Sequence, residues 1–517
     1  MIGSDVFSFE ALWRQYRQCR RNKRNTNNAL RFELDAEANL LALQRELRAH
    51  SYRPGRSICF ITTGPKPREV FAADFRDRVV HHLLVSHQER VFEPVFIDDS
   101  YACRKGKGTL AASDRLMVFL HRATANGRRP AWALKLDVAN FFPSIDKTIL
   151  YQIIARKIAD PELRWLTQTL LFHDPTTDYR FQCRGGRTPG PGNPHYPVLP
   201  YKSLFGKENK RGLPIGNLTS QFWGNVYLNE IDHFIKRELK CRHYLRYVDD
   251  MVLLASDAGT LAGWSAAIQT FLREHLRLSL RPEMTDPFAV KSGIDFVGWK
   301  SWWNRRVPRR RTLASLHTRL AAFEASAVRP VCNGMARCID LRRDDKSTST
   351  EQLRSTLASY SGHLRHGGAW GAWIEVWERY PWLPALFARE GWTFEERWSR
   401  RRASRAQGLV AQYANLLRYA GQDCLVFFPF GRFIEFYGPQ RILAAPILGL
   451  RSASLSRAVF AFTAGFPGHL AGNYAERAIT QHLSVVYVSQ GPSPLSGDCK
   501  VRVPHRIWVP MERRELN

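Results

Sequence analysis

The sequence predicts an α+β protein of several domains, and three observations lead there. Helical spacing of apolar residues dominates the first 50 residues and the stretches 218–235, 312–325 and 350–366. Short β-prone runs flank acidic positions in the middle of the chain, most clearly in Tyr244-Leu-Arg-Tyr-Val-Asp-Asp-Met-Val-Leu-Leu-Ala255. After residue 408 the composition changes to short apolar runs with few charges. At 517 residues the chain is too long for one ordinary core, and about two to four domains are expected.

Lys and Arg number 76 against 47 Asp and Glu, giving +29 at neutral pH and a pI near 10.1. That excess is larger than solubility requires and points to a polyanionic partner, with nucleic acid first. The nine cysteines are scattered, with neither a CxxC pair nor a zinc-like spacing, as expected of reduced thiols in a cytosolic protein. Met-Ile-Gly-Ser-Asp-Val carries an early acid and no apolar stretch, so no secretory signal is expected. No run reaches the roughly 18 apolar residues of a membrane span.

In order along the chain, residues 1–50 read as helices whose apolar positions lie among Arg14, Arg17, Arg20, Arg21, Lys23 and Arg24. Such a face can line a phosphate backbone or simply be solvated. Pro65-Lys-Pro-Arg68 is extended and projects Lys66 and Arg68. Tyr101-Ala-Cys-Arg-Lys-Gly-Lys-Gly-Thr109 sets Arg104, Lys105 and Lys107 among glycines, a loop able to approach a phosphate. It is not a Walker loop, because no Gly-Lys-Ser/Thr is present.

Trp132-Ala-Leu-Lys-Leu-Asp137 reads as a buried strand ending on Asp137, which is then either a helix cap or a functional acid. Asp249 and Asp250 fall at the turn of the Tyr244–Ala255 hairpin. Two carboxylates about 4 Å apart repel by about 4 kcal/mol at an effective dielectric near 20. A semi-buried pair therefore needs a cation or a shared proton, whereas a solvated Asp-Asp turn needs neither. Three carboxylates can bridge two divalent ions roughly 3.5–4 Å apart. Residues 174–212 are rich in glycine and proline, as in Arg184-Gly-Gly-Arg-Thr-Pro-Gly-Pro-Gly192, and form a loop excursion. It leads through Gly212-Leu-Pro-Ile-Gly-Asn217 into a long amphipathic helix.

With Asp137, the Leu213-Pro-Ile-Gly216 turn and Tyr247-Val-Asp-Asp250 in this order, roughly residues 30–400 resemble a reverse transcriptase. The resemblance implies a right-hand polymerase fold of fingers, palm and helical thumb: 1–130 an N-terminal helical region and fingers, 131–304 the palm, 305–400 the thumb. It makes Asp137, Asp249 and Asp250 the catalytic metal ligands for two Mg2+ ions, with Mn2+ as a substitute. Lys66, Arg68, Arg104 and Lys105 resemble the finger residues that hold template and triphosphate. Gly293-Ile-Asp-Phe-Val-Gly-Trp299 resembles the primer grip. Phe142, five residues after Asp137, matches the bulky position that rejects a ribose 2′-hydroxyl, while core packing competes for Phe141 and Phe142. Met284 stands where the family usually places a lysine that protonates pyrophosphate, and the nearby Arg281 is a poor substitute, because a guanidinium does not give up its proton in proteins.

Ile215-Gly-Asn-Leu-Thr-Ser-Gln221 replaces the common Gln-Gly form and resembles the reverse transcriptases of diversity-generating retroelements. Those enzymes copy a template RNA error-prone at adenines; Ile215 and Gly216 would line the nascent pair. The implied partners are template RNA, cDNA and RNA–DNA hybrid, deoxynucleoside triphosphates and a basic accessory protein, in a bacterial or phage-encoded cytoplasmic enzyme that touches no membrane. Alternatives are a phage-defence or retron reverse transcriptase, or a nucleic-acid binder with an inactive polymerase site. Arg400, Arg401, Arg402 and Arg405 mark a hinge. Beyond it, 408–517 reads as a small α/β module in which Asp423-Cys-Leu-Val-Phe-Phe-Pro-Phe-Gly-Arg-Phe-Ile-Glu-Phe-Tyr437 resembles the mismatch-recognition domain I of MutS. There Phe433 and Glu435 occupy the Phe-x-Glu that stacks on and accepts from a mispaired base, or they are ordinary strand residues.

Overall fold

The computed structural model describes residues 5–21, 26–62, 66–183, 189–341, 350–398, 408–421, 423–454, 462–494 and 500–511. Lys23, Arg24, Pro65, the 184–188 part of the Gly/Pro-rich loop, the Arg400–Arg405 cluster and Cys499 lie outside these. The chain is a mixed α/β protein of two compact units, residues 1–305 and 306–517. Among the described residues no helix is long and apolar enough to cross a membrane.

The first unit opens with α1 (Phe9–Arg20), α2 (Asn27–Leu34) and α3 (Ala36–Arg48). Ser8 caps α1 by accepting from the Ala11 N–H, satisfying a donor the helix start leaves free. Strands β1 (Ser57–Ile61) and β2 (Glu69–Ala72) form an antiparallel hairpin. Helices α4 (Phe75–Phe92) and α5 (Thr109–Ala123) follow. Next come β3 (Trp132–Asp137), α6 (Phe141–Ser144), α7 (Lys147–Ala155), α8 (Pro161–Leu171) and β4 (Tyr179–Phe181). Pro161 at the first turn of α8, with Asp160 capping it, is the favoured arrangement at a helix start.

The described residues of the Gly/Pro-rich segment are irregular apart from β4, which runs parallel to β1, and a 3-10 turn at Pro200–Lys202. Then come α9 (Leu218–His233), β5 (His243–Tyr247), β6 (Asp250–Ala255), α10 (Ala258–Leu276), β7 (Phe288–Ala289), β8 (Ile294–Phe296) and β9 (Trp299–Ser301). An antiparallel sheet in the order β5-β6-β3-β7 forms the centre of the unit. Strand alternation divides its side chains between two cores. Leu134, Leu136, Met251 and Leu253 meet Val226 of α9 and Leu272 of α10. Ala133, Leu245, Val252 and Leu254 meet Leu116 and Leu120 of α5. Burying each large aliphatic side chain stabilises the layer by about 1.5–3 kcal/mol.

The second unit comprises β10 (Arg306–Pro308), α11 (Arg310–Ala327), β11 (Val328–Val331), β12 (Ala336–Asp340), α12 (Thr350–His366), α13 (Trp370–Arg379), α14 (Leu383–Leu386), β13 (Phe387–Glu390) and β14 (Thr393–Glu396). It continues through α15 (Leu409–Ala420), β15 (Cys424–Phe430), β16 (Phe433–Tyr437), α16 (Gly438–Leu448), β17 (Ser452–Ser454), β18 (Phe462–Pro467), α17 (Ala471–Thr480), β19 (Ser484–Pro494) and β20 (Lys500–Pro510). An eight-stranded sheet runs β11-β12-β20-β19-β15-β16-β18-β17. The register Ala336–Asp340 against Arg506–Pro510 joins the hairpin after α11 to the last strand. One core holds Leu316, Leu357, Trp373 and Trp382 together with Val426, Phe428, Val486 and Ile507. Elements from residues 306–398 and from 408–511 thus contribute to one sheet and one core.

Candidate active site

The β3–β6 register sets Asp137 directly opposite Asp250, the last residue of one strand against the first of the next. Antiparallel partners have Cβ atoms about 4.5–5.5 Å apart. Asp249 lies in the turn between Tyr247 and Asp250. The residue before it, Val248, has φ +57°, in the left-handed region that β-branched side chains rarely adopt. Asp137, Lys135 and Asp250 share a sheet face by strand periodicity. Lys135 Nζ lies 3.3 Å from Asp250 Oδ2, and Arg281 Nε lies 3.0 Å from Asp137 Oδ1.

Burial pushes all three carboxyl groups above the usual carboxylate range, Asp250 to about 7. Lys135 opposes the rise at Asp250, and the charges of Asp137 and Asp249 add to it. At Asp249 the Asp137 charge is the second cause, after burial. Arg281, Lys135, Lys66 and Arg68 all pull Asp137 down. The site is thus an acidic cluster in need of positive charge. Among the described residues no three His, Cys, Asp or Glu side chains close on a common point as a metal site. Yet Asp250 Oδ1 is a buried oxygen with no hydrogen-bond donor, and buried Asp137 Oδ1 has only the Arg281 guanidinium beside it, without an aligned hydrogen bond. Hard divalent cations take such oxygens as ligands, so the donor set fits magnesium.

The Leu213–Asn217 turn docks against β2. The Phe71 N–H donates to the Ile215 carbonyl at 2.8 Å, and the Ala73 N–H donates to Asn217 Oδ1 at 3.2 Å. Gly216 has φ +122°, and a Cβ there would come within 2.8 Å of Val70 Cγ1, so glycine is required. Lys66 and Arg68 are exposed in the connection between β1 and β2. Their charges reach Asp137. Phe141 is buried, whereas Phe142 is half-buried with its ring against Gly224 of α9.

Arg104 corrects a sequence expectation. Its guanidinium donates to Glu93 at 2.9 Å and to the carbonyls of Ile97 and Ser100 at 2.7 and 2.8 Å, with the side chain 7% exposed. It holds its own loop together and presents no free fork to a phosphate. Lys105 is 87% exposed and pairs with Glu89 at 3.0 Å. Neither is among the leading charges that act on Asp137, Asp249 or Asp250. Sequence reasoning overlooked Lys135, although a lysine inside an apolar strand two residues from the acid was a usable signal.

Residues 64–301 match the family described as reverse transcriptase (RNA-dependent DNA polymerase). The chain carries an RNA-directed DNA polymerase domain. This reverse transcriptase domain contains Asp137, the Leu213–Asn217 turn and the Asp249–Asp250 turn. The chain is also similar, at 23% identity over 186 residues, to an uncharacterized 91 kDa protein in a cob intron of Schizosaccharomyces pombe, covering 36% of this chain and 19% of that one. Protein YkfC of Escherichia coli is 23% identical over 295 residues, 50% of this chain and 70% of that one. A solved apo telomerase from Candida tropicalis, truncated from its C-terminal domain, matches with a TM-score of 0.36 at 11% identity, covering 53% of this chain and 60% of that one.

Outside the polymerase domain, residues 407–505 match MutS domain I. Strand β16 pairs with β15 and β18 and carries Phe433 and Glu435 on one face. Phe433 is 51% exposed, unusual for so large an apolar ring. Glu435 is half-buried and accepts a hydrogen bond from the Tyr437 hydroxyl. Gly465 lets β18 pass close by, since a Cβ there would meet the Ile434 carbonyl at 2.6 Å.

Proposed function

We propose that the chain is an error-prone reverse transcriptase of the diversity-generating retroelement type, extending a DNA primer on a template RNA. The observation that carries the polymerase reading is Asp137 facing Asp250 across two strands, with Asp249 beside it and Asp250 Oδ1 buried without a donor. Asp137, Asp249 and Asp250 would hold two Mg2+ ions, which when bound supply the charge that activates a 3′-hydroxyl and neutralises a triphosphate. Lys66 and Arg68 bind the triphosphate of the incoming deoxynucleotide. Phe142 excludes a ribose 2′-hydroxyl. Arg281, held beside Asp137, adds positive charge where pyrophosphate departs, and water supplies the proton.

The retroelement type rests on Ile215-Gly-Asn-Leu-Thr-Ser-Gln221. An isoleucine at the base pair offers contact without hydrogen bonds, which loosens geometric checking. The MutS-like module, with its exposed Phe433, reads distorted duplex by stacking, as apolar wedges do elsewhere. The test is primer extension by the full chain on an RNA template with Mg2+, followed by sequencing of the cDNA. Errors concentrated opposite template adenines are expected, and Ile215→Gln reduces them by about tenfold, equivalent to about 1.4 kcal/mol of discrimination. No cDNA overturns the polymerase reading; errors spread evenly over the four template bases overturn the retroelement reading.

A further inference from the structure

The charged group bonded to the turn that carries Asp249 is a buried arginine. Arg246 sits on β5 and is 1% exposed. Its Nε and one terminal nitrogen clasp the Asp232 carboxylate of α9 at 2.8 and 2.6 Å. That terminal nitrogen also donates to Ser100 Oγ at 3.1 Å. The other donates to Asn225 Oδ1 at 3.1 Å and to the Val248 carbonyl at 2.9 Å. Asp232 is fully buried and also accepts from the Tyr244 hydroxyl at 2.6 Å. Every direction of the guanidinium is used.

An apolar pair could fill the same space at similar stability. What it could not do is donate to the Val248 carbonyl. Val248 holds φ +57°, a conformation that a β-branched residue keeps only where its surroundings over-determine it. The chain turns at that residue to deliver Asp249 and then Asp250. We propose that Arg246 is a positioning residue for the carboxylate cluster. By gripping the Val248 carbonyl it locks the left-handed turn and fixes Asp249 and Asp250 against Asp137 at metal-binding separation. The inference rests on the reading of the three aspartates as metal ligands.

Lysine keeps the charge, but its single nitrogen cannot reach both Asp232 oxygens and the Val248 carbonyl together. Glycine at position 248 adopts positive φ without strain and needs no clamp. The experiment is a Mn2+ titration of the purified full chain followed by electron paramagnetic resonance, with thermal unfolding and the Mg2+ dependence of primer extension measured alongside. Arg246→Lys is expected to weaken Mn2+ binding by about 10- to 100-fold, the usual effect of losing a group that orients metal ligands. The Mg2+ needed for half-maximal extension rises in parallel, and KM for the primer-template stays unchanged. Adding Val248→Gly to Arg246→Lys recovers most of the Mn2+ affinity while the melting temperature stays low. Arg246→Lys that melts early yet binds Mn2+ like the wild type overturns the inference alone, leaving the metal reading intact. Where Arg246→Lys does not fold, the double variant decides: folded with Mn2+ affinity restored supports the inference, folded with the affinity still lost overturns it. A wild-type chain that binds no Mn2+ overturns both the metal reading and this inference.

Discussion

The two large sheets of this protein present their distinctive residues in opposite ways. In the first unit, strand ends bring acids together: Asp137 closes β3, Asp250 opens β6, and half-burial makes their charge costly. In the second, β16 holds a large ring outward, with Phe433 half-exposed and Glu435 satisfied by a neighbouring tyrosine. The first arrangement stores unmet demand for cations. The second offers apolar surface with no electrostatic demand, a platform suited to stacking. The contrast separates chemistry from recognition, so damage to one sheet should leave the other's task intact.

The sharpest way to break that separation is to remove one carboxylate and one ring in parallel. Asp249→Asn keeps size and removes the charge; primer extension by the full chain is expected to fall roughly 10³-fold, about 4 kcal/mol of transition-state stabilisation. Phe433→Ala is expected to leave extension on a matched primer-template within about twofold, on the same rate scale. Equal losses in the two variants, measured as kcat/KM, would show that the second sheet takes part in the chemistry.

The same contrast explains what could be read from the chain. Asp137, Asp249 and Asp250 stood out because each ends or begins an apolar run, and alternation along β3 and β6 fixes where such residues point. Arg104 misled because a basic residue between glycines looks the same in sequence whether it faces phosphate or, as here, Glu93 and two carbonyls. That choice depends on acids and backbone brought in by folding. Arg246 was hidden for the same reason: its partners Asp232, Asn225 and Ser100 come from other elements. Nor could the pairing of β12 with β20 be seen, since their paired residues lie about 170 positions apart and period-2 patterning names no partner.

That long-range pairing gives the next prediction. Ile507 is 1% exposed on β20 and belongs to the core that also holds Leu316 and Trp373. Ile507→Ala should cost about 2–5 kcal/mol. If residues 306–398 and 408–511 share one cooperative core, the variant lowers a single transition that removes α11–α13 and the C-terminal strands together, with the first unit melting unchanged. Hydrogen exchange followed by peptide would read this directly. Early loss of protection confined to 408–511 would show that the common sheet joins two separately stable parts.

The smallest effect is expected at the exposed ring, and it bears on recognition itself. Stacking a base on an aromatic side chain is worth about 1–3 kcal/mol by alanine substitution, and a mispaired step opens more easily than a matched one. Phe433→Ala should therefore weaken binding to a mismatched duplex by about 5- to 150-fold while matched duplex, held through phosphates, changes little. Glu435→Gln tests the other half of the pair: the amide keeps the size, removes the charge and still accepts from Tyr437, so a lost preference among mismatches with overall affinity retained would assign Glu435 to base discrimination. The comparison is read from competition binding at fixed ionic strength, because a chain of +29 charge binds any duplex more tightly as salt falls. Equal weakening on matched and mismatched duplexes would make Phe433 a general contact and remove the recognition role from the second sheet.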